Sequence, residues 1–182
     1  QYADWYKKQV TDYESRAKAL GFSQVSQEKL AVAKKIRDFV MGGGYMFAMC
    51  SATDSYDIAL AAEGIDICTE QFDHDPIDPN AQKKLDFSKG FAFQNYLLST
   101  NPYEYEFSTI DVPGIRPIPK EMDYFSLFDF SAKWDQVPSM LTQDHEKMVK
   151  GFMGQTTAFK KSVIKPDVLI MGENKSLNEA KY

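Results

Sequence analysis

Cys50 is the residue best placed to do chemistry. It follows the apolar run Tyr45-Met46-Phe47-Ala48-Met49 and precedes Ser51-Ala52-Thr53-Asp54, so it stands where a buried strand would turn into a helix. At such a nucleophile elbow the turn is sharp, and the residues two positions away must be small. Ala48 and Ala52 meet that condition. The positive end of the following helix favours thiolate over thiol, and the Ser51 N–H is placed to steady the oxyanion of a bound carbonyl. The implied chemistry is attack of Cys50 on an amide or related acyl carbon, with Cys50 and Ser51 as catalytic residues. A second reading stays open, because free cysteine often serves simply as a small core residue at a tight crossover. Cys68 lacks this setting and reads as structural.

A cysteine nucleophile needs a histidine base within about 2.6–3.2 Å. The chain holds two histidines, and each is flanked by charge: His74 between Asp73 and Asp75, and His145 in Gln143-Asp144-His145-Glu146-Lys147. Both read by default as solvated surface residues, because sequence supplies no spatial pairing with Cys50. The loop around His74 carries Asp73, Asp75 and Asp78, the ligand type a hard cation prefers. It departs from the EF-hand pattern, with no glycine at the sixth place and no glutamate at the twelfth, so a solvated acidic loop is expected. No histidine–cysteine cluster has zinc spacing, and no metal or cofactor is expected. From Phe87 to Phe130 the chain is rich in aromatics, among them Phe91, Phe93, Tyr96, Tyr103, Tyr105, Phe107, Tyr124 and Phe125. Core packing explains them by default, and a contiguous exposed apolar patch would instead mark an interface.

The elements that must hold these residues follow from periodicity. Ala3, Tyr6, Val10, Tyr13, Ala17 and Leu20 recur at steps of three and four, which predicts an amphipathic helix stopped by Gly21. Ser26 can cap a second helix with the stripe Leu30, Ala33, Ile36 and Val40, ended by Gly42-Gly43-Gly44. A third helix starts near Asp54 or Ser55 and carries Ile58, Ala59, Ala61 and Ala62. Tyr45–Met49 and Val168–Met171 are unbroken apolar runs, as in strands buried on both faces. They predict an α/β layered domain with a mainly parallel sheet covered by helices on both sides. Tyr103, Tyr105 and Phe107 alternate with polar residues and suit a half-buried strand; Phe125, Leu127, Phe128 and Phe130 follow as apolar anchors. Pro113, Pro117 and Pro119 mark an irregular connection between them.

The elbow with Thr53-Asp54-Ser55-Tyr56-Asp57-Ile58-Ala59-Leu60-Ala61-Ala62 resembles the class I glutamine amidotransferase-like superfamily. More narrowly, Phe87-Ser88-Lys89, Leu127-Phe128-Asp129-Phe130-Ser131-Ala132-Lys133-Trp134, Gly151-Phe152-Met153-Gly154-Gln155-Thr156-Thr157 and Met171-Gly172-Glu173-Asn174-Lys175 resemble a Bacteroidetes group labelled asparagine synthetase B or asparagine synthetase B-like. The resemblance implies a flavodoxin-like α/β fold with Cys50 at the nucleophile position, a histidine base beyond Tyr182, and a place in the periplasm or cell envelope. It also implies a single amidotransferase-like domain over residues 1–182 that belongs to a larger parent. The elbow here reads Ala-Met-Cys-Ser-Ala, where the superfamily has Gly-x-Cys-x-Gly. No phosphate loop of an ATP-dependent synthetase is present, since the glycine triplet precedes the run at 45–49 and cannot open a helix.

Composition narrows the partners. The 182 residues are 43% hydrophobic and 26% charged, as in an ordinary globular protein. A net charge of −5 with no basic block argues against a nucleic-acid surface. No apolar stretch approaches the ~18 residues of a membrane span. The start, Gln1-Tyr2-Ala3-Asp4, fits a processed or truncated piece. Taken with the resemblance, two functions from different classes are expected: a domain hydrolysing a small amide substrate, or a catalytically silent binding or structural module with a protein partner in a larger envelope assembly.

Overall fold

The computed structural model describes residues 3–101, 103–104, 107–111, 119–127, 147–151, 158–174 and 179–181. The chain falls into two compact units, Gln1–Phe47 and Ala48–Tyr182.

The first unit is a helical hairpin of α1 (Asp4–Ala19) and α2 (Val25–Met41). Both helices end where a glycine takes the left-handed conformation that other L-residues resist, Gly21 at φ 86° and Gly43 at φ 94°. The Phe22 N–H donates back to the Ala17 carbonyl (2.9 Å) and the Gly21 N–H to Lys18 (3.0 Å), a Schellman closure. The glycine triplet repeats it, with Gly44 N–H on Phe39 and Gly43 N–H on Val40, each at 2.9 Å. The second helix starts at Val25, so Ser26 lies within its first turn and does not cap it. Ser23 instead donates its N–H and hydroxyl to the Gln27 side chain. Between the helices, Arg16 Nε and Nη2 both reach Oε1 of buried Glu28 at 2.8 Å.

The second unit opens with α3 (Ala52–Ala61), followed by the short helices α4 (Glu70–Asp73) and α5 (Ala81–Lys84). Its strands come later: β1 (Tyr124–Leu127), β2 (Met148–Lys150), β3 (Phe159–Lys160), β4 (Gly172–Asn174) and β5 (Glu179–Lys181). They form one sheet in the order β2-β1-β4-β5-β3. Every pairing is antiparallel, with registers such as Phe125 opposite Val149 and Glu173 opposite Ala180. The core beside α3 gathers Ile58, Phe93, Tyr96, Ile110, Phe159 and Ile164. Among the described residues no helix is long and apolar enough to cross a membrane.

The mainly parallel, flavodoxin-like sheet is thus corrected to a small antiparallel one. Parallel neighbours need a crossover of a dozen or more residues, usually a helix. Among the described residues the three long helices all precede Ala62, and every strand follows Met122. Helices first and strands later is the α+β order, in which strands pair antiparallel. Neither expected buried strand forms. Tyr45–Met49 has no strand pairing, and Tyr45 is 78% exposed and Phe47 68%. The division between the units falls inside that run, between Phe47 and Ala48. At the other run, Val168 N–H closes a turn on Lys165, Leu169 faces solvent, and pairing starts only at Gly172.

The expected anchor Phe125 is fully buried on β1. The alternating stretch contributes an isolated bridge between Leu98 and Ser108, while Tyr103 and Phe107 face solvent. Tyr105, Pro113, Pro117, Phe128 and Phe130 lie outside the described residues.

Candidate functional site

Cys50 sits in the turn that opens α3. Its backbone is left-handed, φ 56°, in a residue with a Cβ, and its side chain is exposed. A cysteine held there costs of order 1 kcal/mol or more, so the surrounding turn must impose it. The imposing bonds are local. The Cys50 carbonyl accepts the Thr53 N–H (3.1 Å) and the Thr53 hydroxyl (2.7 Å), and the Ala52 N–H donates to Met49 (3.2 Å). Ser51 occupies the N-cap position with helical angles (φ −60°, ψ −13°), and its carbonyl accepts both the N–H and the hydroxyl of Ser55. No side chain caps α3 at that position.

Beneath this turn lies a set of buried carboxylates. Asp54 and Asp57 occupy the same helical face as Ile58 and Ala61, at relative positions 0, 3, 4 and 7, and all four are buried. The Asp57 carboxylate accepts three backbone N–H groups, from Phe91 (2.6 Å), Ala92 (2.7 Å) and Phe93 (2.7 Å). The loop can come so close because Gly90 carries no side chain; a Cβ there would lie 3.0 Å from the Asp57 carboxyl carbon. Tyr56 stacks on Phe91 at 5.9 Å between ring centres, adding to the same α3–loop seam. Asp54 is 2% exposed, and its Oδ1 has no hydrogen-bond partner. Burial pushes its carboxyl up to about 6; the Ser55 N–H opposes this and the charge of Asp111 adds to it. Asp111 is itself buried, as is the Tyr96 hydroxyl, which also has no partner. Burial, with the charges of Asp57 and Asp54, raises the Tyr96 phenol far above its ordinary value. Apolar periodicity passed over these carboxylates. The signal that could have found them is two aspartates on the positions of an apolar stripe.

The remaining candidates separate. Cys68 is half-buried, and burial together with its hydrogen bond and proximity to Asp73 pushes its thiol up to about 12. Asp73 and Asp75 lie with Asp66, not with Asp78, their oxygens within 4.8 Å of one another. Asp78 pairs with Lys84 and accepts the Asn80 N–H (2.8 Å), and the Lys84 ammonium holds its carboxyl below the usual range. His74 is an exposed left-handed residue closing α4, its N–H on the Glu70 carbonyl (3.0 Å). His145 lies outside the described residues. A cleft of about 220 Å³ flanks α3, lined by Ser55, Ile58, Ile67, Leu98, Thr100 and Phe107. Comparison with protein-family models, curated proteins and solved structures finds no match to this chain.

Proposed function

We propose that the chain is a binding module of a larger assembly, docking a protein partner on the apolar face of the α1–α2 hairpin. The observation that carries this reading is the hairpin's poverty of core. Its two helices bury Ala17, Glu28 and Ala33, whereas Leu20, Val32, Phe39 and Met41 face solvent. Two helices of this length with so little buried apolar surface are far from self-sufficient. An exposed apolar face of this kind marks an interaction site. A groove of about 370 Å³ lies on it, lined by Leu20, Phe22, Val32, Ile36 and Phe39 among others, and apolar grooves of this kind take the apolar face of an amphipathic helix. The test is a photo-crosslinker at Val32 in the full-length parent, in the cells that make it. A defined crosslinked partner is expected, and Phe39→Asp should abolish it while moving the melting temperature by no more than about 2 °C, since the side chain is exposed. A parent that crosslinks to nothing, or crosslinks equally well with Phe39→Asp, would refute the docking face.

A second reading, hydrolysis of a small amide by Cys50, is favoured by one observation: the strained left-handed backbone at an exposed thiol beside a helix N-terminus. It does not depend on a parallel sheet. Cys50 is expected to alkylate at pH 8 at least ~100-fold faster than Cys68, whose thiol stays protonated there. Ammonia release from glutamine or simple amides by the parent, lost in Cys50→Ser, is the decisive result. A parent without any release leaves the docking reading alone.

A further inference from the structure

We propose that Asp54 is a proton-linked latch on the first turn of α3, holding the turn closed when neutral and loosening it when charged. The inference goes beyond both readings above and rests on where the groups sit. Asp54 stands one turn before Ile58; Tyr96 and Ile110 share one core cluster with Ile58, and Asp111 follows Ile110 and bridges to Phe159 on β3. Asp54, Asp111 and Tyr96 are each buried, and Asp54 feels the charge of Asp111 as Tyr96 feels that of Asp54.

The groups facing Asp54 decide what it can be. From its own helix comes Asp57, already engaged by three N–H groups. From the loop comes the Tyr96 hydroxyl, buried and without a partner, and from the other segment comes Asp111, a second buried acid. Lys165 donates its ammonium to the Gly90 carbonyl, at the loop that Asp57 holds. A charged Asp54 would leave an anionic oxygen in a low-dielectric core, with no donor on Oδ1 and a like charge nearby, which is strongly unfavourable. A neutral carboxyl removes that repulsion. The turn it belongs to has no side-chain cap and a strained residue at its start. When Asp54 ionises, water must reach it, and the local opening falls on the residues that follow Cys50.

The direction with pH follows from linkage. The folded chain holds the Asp54 proton up to about pH 6, whereas the unfolded chain releases it near the ordinary value of 3.8. Between those values the folded state binds more protons, so stability falls as pH rises from about 4 to about 6 and stays low above. Two measurements on the whole chain test the latch. By carbon-detected NMR the Asp54 carboxyl should titrate near pH 6. Hydrogen-exchange protection of the Ser55–Ile58 amides should fall at least ~10-fold from pH 5 to pH 7.5. In Asp54→Asn that protection should stay level across the same range. Asp111→Asn, by removing the like charge, should move the Asp54 midpoint to lower pH. An Asp54 carboxyl titrating below pH 4.5, wild-type protection that does not change with pH, or the same fall in Asp54→Asn would each overturn the proposal. The wild-type titration decides even where a variant fails to fold.

Discussion

Asp57→Ala is expected to cost the larger unit about 4–5 kcal/mol, most of the stability that a domain of this size has in hand. The carboxylate is the acceptor for three successive N–H groups, at 2.6, 2.7 and 2.7 Å, and those of Ala92 and Phe93 are buried. Hydrogen bonds to an ionised acceptor are worth roughly twice neutral ones. Removing that acceptor leaves two buried donors unsatisfied, each costing about 1–3 kcal/mol. The loss is also cooperative, because Phe93 and Tyr96 enter the core directly after the bound loop. Asp57→Asn keeps one carbonyl oxygen but turns an amide NH2 toward N–H donors, so it should lie between wild type and alanine. Denaturant unfolding checks both variants: the midpoint should fall in the order wild type, Asn, Ala with little change in slope. An alanine variant within 1 kcal/mol of wild type would mean that the loop is held by its aromatic packing and not by the carboxylate.

Gly151→Ala is expected to cost about 3 kcal/mol, through space and not through backbone conformation. A methyl group at Gly151 would overlap the Asp123 carboxylate. That carboxylate has nowhere to go: Asp123 is 2% exposed, and its Oδ1 accepts the side-chain amide of buried Asn174 on β4 at 3.0 Å. The Gly151 N–H is also bound to the Asp123 carbonyl (2.7 Å), just beyond the Tyr124–Lys150 pair, so the strand cannot shift aside without unpairing β1 from β2. Overpacking of this kind typically costs about 1–3 kcal/mol, and here it also breaks a buried hydrogen bond. A double-mutant cycle isolates the cause. In an Asp123→Ala background the same Gly151→Ala change should cost less than 1 kcal/mol, the difference being the coupling energy between the two sites. Equal costs in both backgrounds would place the strain elsewhere.

The sequence by itself determined the local helical pieces. The steps of three and four through Tyr6, Val10, Tyr13 and Ala17, with a left-handed glycine at Gly21, require only neighbours along the chain, and α1 forms where they indicate. The glycine triplet stops α2 for the same reason, and the turn at Cys50 followed by α3 was legible from the small residues around it. Strand identity is another matter. A continuous apolar run states that a segment avoids water, not which partner covers it. Tyr45–Met49 therefore read as a buried strand although it is open to solvent, and the short strand β4 begins just where the Val168–Met171 run ends. Pairing depends on segments brought together from positions as distant as 126 and 173, and only the tertiary structure decides that. The same holds for the candidate site. Cys50 stood out in the sequence because its chemistry is written in one side chain. Asp54 and Tyr96 acquire theirs from burial and from the acids around them, since a titratable group's charge state is set by the water, donors and charges around it.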